Sequence, residues 1–298
     1  MVKSSRSYQI LTNIIMSIVT LIIFLPFVLL FMSSITDESI LLRNGYSFIP
    51  ETLSMGAYEY IFRSGDKIFL AYGMTIIITI IGTLINVSLS ALFAYPISLK
   101  NLPGRRIITF LVFFTLLFNG GLVPSYILWS TYLHVRDTIF GLLLPNLLLN
   151  SMNILLIRTY FSTSIPETLY EAAEIDGAGQ LKIFGSIVLP LGKPILVTIS
   201  TFAGLTYWND WTNGLYYINK NTQLYTIQNL LNRMVSDLQF LTQNSANMSS
   251  DMAAMLSKVP TTGVQMAIAF VAVLPIIILF PFLQKYYSKG IALGAVKG

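Results

Sequence analysis

Apolar residues in this chain gather into long, nearly unbroken blocks. They show neither the alternation of a half-buried strand nor the three-and-four spacing of a half-buried helix. Six blocks are candidates for the roughly 20 apolar residues that carry a helix across a bilayer. They fall at about 13–34, 69–99, 107–129, 138–160, 194–211 and 263–282. The second is long enough to tilt or to continue into water. The third is interrupted by Asn119-Gly120-Gly121 and by Pro124, a break tolerated where it lines a cavity or is buried in protein. The fourth reads as one helix, with Asn146, Asn150 and Asn153 in a polar stripe suited to hydrogen bonding between helices. The fifth is short and rich in Thr and Ser, and the sixth contains Pro275 and Pro281. The first block exceeds the apolar core of a secretory signal, about 7–15 residues, and no small-residue cleavage site follows it. The pattern therefore predicts an all-α integral membrane protein of six transmembrane helices, with 1–298 as a single domain.

Composition supports lipid as the solvent. The chain is 54% hydrophobic and 10% charged, with a mean hydropathy of +0.70. A soluble domain carries about 25% charged residues. There is no cysteine and a single histidine, His134, so disulfides and thiolate sites are excluded and a histidine-based metal site or triad has little support. His134, beside Arg136 and Asp137, reads as a solvated residue of a short outer loop. The net charge of +5 is spread along the chain and forms no nucleic-acid patch. With the N-terminus inside, eleven of the 18 lysines and arginines fall on the inner side, and the short loop from Lys100 to Arg106 is the clearest signal. Both termini are then cytoplasmic. Two long polar stretches, 35–67 and 214–262, lie outside, and loops of that length are uncommon without a function. The second shows helix-like runs at Gln228–Gln239 and Ser250–Leu256.

Between the fourth and fifth blocks lies a polar, acidic segment, 162–192. Pro166 suits the first turn of a helix, where its missing N–H is an orphan in any case. Glu167, Glu171 and Glu174 follow at spacings of four and three and share one face. Gly177 and Gly179 end this helix, and a second short helix is predicted at about 180–187, before Pro190 and Pro194. The product is an L of two short helices with an elbow at Asp176-Gly177-Ala178-Gly179, small enough for another backbone to approach.

The run Glu171-Ala172-Ala173-Glu174-Ile175-Asp176-Gly177-Ala178-Gly179, followed by Ile187-Val188-Leu189-Pro190, resembles the EAA loop of binding-protein-dependent ABC importer permeases of the carbohydrate-uptake branch. The tail Lys289 to Gly298 resembles that branch as well, in particular its maltose-type second permeases that handle oligosaccharides. The resemblance implies a type I ABC importer permease fold, in which this L is the coupling helix seated on an ATPase subunit. Glu171, Ala172, Ala173, Asp176, Gly177, Ala178, Leu189 and Pro190 match its positions. It also implies partners: a homologous permease in a heterodimer, two copies of an ABC ATPase, an extracytoplasmic substrate-binding protein, and membrane lipid. No GxxxxGK[ST] phosphate loop is present. ATP and Mg would therefore sit on the partner ATPase, with no cofactor and no catalytic residue on this chain. The expected location is a bacterial cytoplasmic membrane.

A sugar path needs aromatic faces and amides. Tyr207 to Asn213 is the densest such cluster, at the outer end of the fifth block. Trp208, Asn209 and Asp210 match a Trp-Asn-Asp-like turn of the resembled family. Trp211 and Asn119 join them as candidates for the substrate path. An interfacial aromatic belt explains the tryptophans equally well; it explains Asp210 less well. The expected cargo is an oligosaccharide. The alternatives are an ABC permease for a peptide or amino acid, or a secondary transporter, which usually needs charges deep in its helices.

Overall fold

The computed structural model describes residues 6–63, 65–244 and 261–295. Regular structure among them is helical, apart from one isolated bridge between Thr36 and Leu53. The predicted run Ser250–Leu256 and the last tail residues lie outside the described residues. Among the described residues two helices are long and apolar enough to cross a membrane unaided, and two bent helix pairs raise the number to four. The contacts divide the chain into two units: that up to Ile68 with Leu231–Ile276, and Phe69–Leu230 with the chain from Ile277.

In the first unit, α1 (Arg6–Ser34) is apolar on all sides, and none of its most apolar stretch is buried within the chain. A helix without a polar face needs lipid or a protein partner around it. The outer segment that follows forms α2 (Glu38–Asn44), capped by Asp37, and α3 (Gly56–Arg63). Ser34 Oγ and Tyr58 Oη lie 2.8 Å apart, and the rings of Phe31 and Phe270 pack at 4.9 Å. The Glu38 carboxylate accepts the N–H groups of Thr262 and Gly263, each at 2.8 Å. It thereby serves orphan donors at the start of the last long helix, where the dipole favours an anion.

The second unit holds α4 (Gly65–Ser98) from Phe69 onward, with Pro96 in its last turn. α5 (Arg105–Leu117) and α6 (Leu122–Ile127, extended by a π-helical turn to Tyr132) meet at 109°. The bend falls on the predicted interruption at Asn119-Gly120-Gly121, with Gly121 at φ +88°.

The fourth block is not one helix, contrary to its apolar pattern. α7 (Phe140–Leu143) makes a single turn, residues 144–150 are non-helical, and α8 (Ser151–Ser164) starts afresh. Pro145 has no N–H with which to continue the ladder, and Asn146 sits at φ +60°. The asparagine stripe is accordingly split. Asn150 caps α8 by accepting from the N–H groups of Met152 and Asn153.

α9 (Glu167–Ile175) ends at the predicted elbow. α10 (Gln180–Ile183) then runs on through a π-helical turn, 184–188, and α11 (Leu189–Leu191). The second arm is thus longer than the predicted 180–187. It bends by 79° into α12 (Lys193–Asn209), followed by α13 (Thr212–Tyr217) and α14 (Ile227–Asn244). Gly192 makes that bend possible, since a Cβ there would stand 2.5 Å from the Phe161 ring.

Candidate functional site

The elbow is set by its backbone. Gly177 stands at φ +76° directly after α9. Its N–H donates to the Glu174 carbonyl at 3.0 Å, and the Ala178 N–H donates to the Ala173 carbonyl at 2.9 Å. This pair of bonds is the Schellman arrangement, which consumes the orphan carbonyls of a helix end and needs a left-handed residue at the turn. Ala173 is buried and Ala178 packs against the same cluster, so one small residue on each side of the turn closes it from within. On the other side the elbow is open. Ile175 is 86% exposed and Leu181 82%, with Asp176, Gly177 and Gly179 exposed between them. Glu171 and Ala172 are also exposed, Leu189 is half-buried and Pro190 exposed. Two bare aliphatic side chains flanking an acidic, small-residue turn suit contact with another protein.

Behind the elbow the second unit braces it. Ile183, Phe184 and Val188 are buried in a cluster with Ile97, Ile157, Phe161 and Ile199. Tyr95 donates to Gln180 Oε1 at 2.6 Å, and Gln180 Nε2 donates to Glu174 Oε1 at 2.9 Å. The chain from α4 to α10 to α9 is thus continuous. Lys100 pairs with Glu167 at 2.5 Å, both well exposed, a contact worth well under 1 kcal/mol in stability, on the order of a typical surface pair. Between these elements lies a hollow of about 760 Å³, with Tyr95, Tyr170, Phe184, Glu171 and Glu174 on its wall. The Tyr170 hydroxyl is buried without a partner among the described residues, and burial, helped by Tyr95, pushes it up to about 12. Nothing in the sequence pattern singled out Tyr95, Tyr170 or Gln180.

The break at 144–150 leaves carbonyls with no helical donor, and side chains from three other elements serve them. Tyr207 Oη donates to the Leu143 carbonyl at 2.9 Å. Asn213 Nδ2 donates to that of Pro145 at 2.9 Å. Asn86 Nδ2 reaches those of Leu147 and Leu148, at 2.7 and 3.2 Å. Asn153 Nδ2 donates to Asn86 Oδ1 at 3.3 Å. Non-helical backbone survives at membrane depth only where protein or a wet cavity satisfies it. Tyr207 fits because Gly82 faces it, where a Cβ would meet the ring at 2.5 Å. Asn146, Leu149 and Asn150 remain exposed on the break. Asn86, a lone amide in an apolar run, was a signal that sequence reading passed over.

The outer cluster divides. Asp210 Oδ1 accepts from the N–H groups of Thr212 and Asn213, so its carboxylate caps α13. Trp208 is buried and its indole N–H finds no partner among the described residues. Asn209 and Trp211 are exposed. Asn119 is exposed too, and its Oδ1 accepts the Gly121 N–H at 2.9 Å, tying the bend.

A second anchor was not anticipated. Asp137, at φ +54°, accepts the N–H groups of Asn219 and Lys220 at 2.7 Å and of Asn221 at 3.2 Å. The Lys220 and Asn219 N–H groups, then that of Asn221 and the nearby Arg136, hold its carboxyl below the usual carboxylate range. It fixes the root of the outer stretch that leads into α14.

The family described as "Binding-protein-dependent transport system inner membrane component" matches residues 96–293. The chain is 37% identical over 280 residues to the polygalacturonan/rhamnogalacturonan transport system permease protein YtcP of Bacillus subtilis, covering 93% of this chain and 94% of that one. It is 32% identical over 296 residues to Protein LplC of the same organism, covering 99% and 97%. Among solved structures it resembles a chain of a bacterial ABC transporter involved in the import of the acidic polysaccharide alginate, with a TM-score of 0.76, 28% identity and coverage of 95% and 99%.

Proposed function

The chain belongs to the binding-protein-dependent transport system inner membrane components, and from that premise we propose that it is the oligosaccharide-conducting permease of an ATP-driven importer. An all-helical, multi-pass ABC importer permease of the type I fold is the frame. The observation that carries the finer reading is the elbow. A left-handed Gly177 turns the chain between two braced helices and leaves Ile175, Asp176 and Leu181 free for a partner. We assign that partner as the ATPase. The described residues offer one such elbow, so pairing with a homologous permease would supply the second and allow two ATPase copies to dock. Both termini and the elbow are placed in the cytoplasm. An extracytoplasmic binding protein would deliver the cargo to the opposite face. Closure of the ATPases would then tilt the elbows and shift the pair between inward-open and outward-open states.

For the path, the proposal names the exposed backbone and amides of the break, Asn146 and Asn150, together with Trp208, Asn209, Asp210, Trp211 and Asn119. One similar protein is named for polygalacturonan and rhamnogalacturonan transport and another belongs to an importer of the acidic polysaccharide alginate, so uronic-acid oligosaccharides are the first cargo to try. The test is uptake into vesicles holding this chain, its sister permease, the ATPase and the binding protein. Accumulation of an oligosaccharide that depends on ATP and on the binding protein is expected. ATP-dependent uptake of a peptide or amino acid, with no sugar uptake, would overturn the cargo. Full transport by this chain as a homodimer would overturn the pairing.

A further inference from the structure

At the other end of the Lys100–Arg106 loop the second unit carries a basic hollow that the transport reading does not use. It measures about 950 Å³, and Arg105, Arg106, Arg158, Thr109, Phe110 and Phe113 line it. No carboxylate lines it. Among the described residues, Arg105, Arg106 and Arg158 form no ion pair, and Glu167 pairs with Lys100 instead. Arg105 and Arg158 nevertheless converge. Both donate from Nε to one carbonyl, that of Ile97, at 3.0 and 3.4 Å. Two guanidiniums held against one acceptor repel each other unless an anion joins them. Thr109 also lines the hollow, and its buried hydroxyl has no hydrogen-bond partner among the described residues. The N-terminus of α5 adds its positive dipole end, and no side chain caps it.

We propose that this hollow holds an anionic phospholipid, its phosphate on Arg105, Arg106 and Arg158 and its acyl chain along Phe110 and Phe113. A soluble anion would use the basic groups only. The adjoining wall is apolar and bare, with Phe110 61% and Phe113 45% exposed. The hollow lies where two predicted spans end, at the depth of lipid headgroups. Guanidinium forks match phosphate oxygens, and basic pockets between helix ends select anionic headgroups. The inference needs only that the chain spans a bilayer, so it stands apart from the identity of the cargo or the ATPase.

The experiment is native mass spectrometry of the full chain in detergent. It is titrated with phosphatidylglycerol, with phosphatidylcholine of the same acyl chains, and with sodium phosphate. Phosphatidylglycerol should bind at least about tenfold more tightly than phosphatidylcholine. Arg106→Gln should weaken it about fivefold and the Arg105→Gln, Arg158→Gln double variant more, whereas Arg136→Gln should change nothing. Arg106 makes no bond that the fold needs, so its variant decides the matter where the double variant fails to fold. Equal binding of both lipids, or an Arg106→Gln chain with unchanged affinity, overturns the proposal. Displacement of the lipid by millimolar phosphate also overturns it, because the site would then be one for a water-soluble anion.

Discussion

Substitutions at Gly177 separate what the elbow owes to its own backbone from what it owes to a partner. The residue is left-handed, and a Cβ built there meets nothing within 4 Å. Within this chain, therefore, a side chain costs only the backbone penalty. For an ordinary L-residue that is about 1–2 kcal/mol, with Asn at the low end because its short polar side chain visits this region more readily. Such a cost lowers the ratio of turned to unturned elbow about 5–30-fold. The buried cluster of Ile183, Phe184 and Val188 and the Tyr95–Gln180–Glu174 bonds continue to hold both arms. Gly177→Ala and Gly177→Asn should both insert in the membrane and pair with the sister permease. Gly177→Asp adds a carboxylate beside Glu171, Glu174 and Asp176, on a face that is open to solvent until something docks. That variant is expected to insert and pair but to lose most ATPase recovery and most uptake, with Asn keeping clearly more of both than Asp. The assay is co-purification of the ATPase with the tagged permease pair, followed by uptake in vesicles. Wild-type ATPase recovery and wild-type uptake in the Asp variant would refute the assignment of the elbow as the coupling element.

Four further outcomes are expected. Asn86→Leu removes three hydrogen bonds at a 2%-exposed position. At about 0.6–1.5 kcal/mol each this is roughly 2–4 kcal/mol of stability, visible as a lower melting temperature in detergent; an unchanged melting point would mean that the break does not depend on Asn86. Gly82→Val should destabilise by about 1–3 kcal/mol through overpacking against Tyr207, and pairing it with Tyr207→Ala should recover part of that loss. Asp210→Ala removes the cap of α13 at a cost of about 1 kcal/mol, and both it and Trp208→Ala should lower transport while leaving ATPase docking intact; normal transport in both would return the cluster to a membrane-belt role. Asp137 is depressed in the folded chain, so its contribution is complete above the ordinary carboxylate value of about 3.9 and is lost as pH falls through the depressed folded value. Hydrogen exchange should therefore find the Asn219 and Lys220 amides protected from neutral pH down to about 4 in the wild type and unprotected at pH 7 in Asp137→Ala, and fast wild-type exchange at pH 7 would dispose of the anchor.

The helices and the elbow were legible because their causes are local. An apolar block free of helix breakers makes a helix from its own backbone bonds, and Gly177 ends α9 through its own φ and its neighbours' carbonyls. The bend at Asn119-Gly120-Gly121 was legible for the same reason. The break in the fourth block was not. Pro145 and Asn146 stand in an apolar context that favours a continuous helix, and what stabilises the alternative is donated from Asn86, Tyr207 and Asn213, about sixty residues away in either direction. Hydrophobic periodicity carries no information about such donors. Glu38 and Asp137 escaped for a related reason. Each is a single carboxylate whose meaning lies in a row of backbone N–H groups far along the chain. Asp210 was noticed for its charge, which on a helix cap has a local role that the aromatic neighbours concealed.

The broken block also bears on how the proposed coupling reaches the cargo. α8 has 14 residues and so spans about 21 Å at 1.5 Å per residue. It starts at the Asn150 cap, where the break ends, and stops at Ser164, two residues short of α9, the first arm of the elbow. A rigid helix of that length transmits a displacement of one end to the other, and here it can pivot because residues 144–150 are not helical. A continuous fourth helix would have to move α7 as well, together with the turn that Asp137 ties to 219–221. On the proposed coupling, the break would let α8 follow the ATPase while α7 stays with the turn at 219–221. Restoring helix through the break by Pro145→Ala with Asn146→Ala should then lower transport while leaving ATPase recovery at the wild-type level. Loss of docking in that variant would show that the elbow itself depends on the break, and undiminished transport would show that no pivot is needed there.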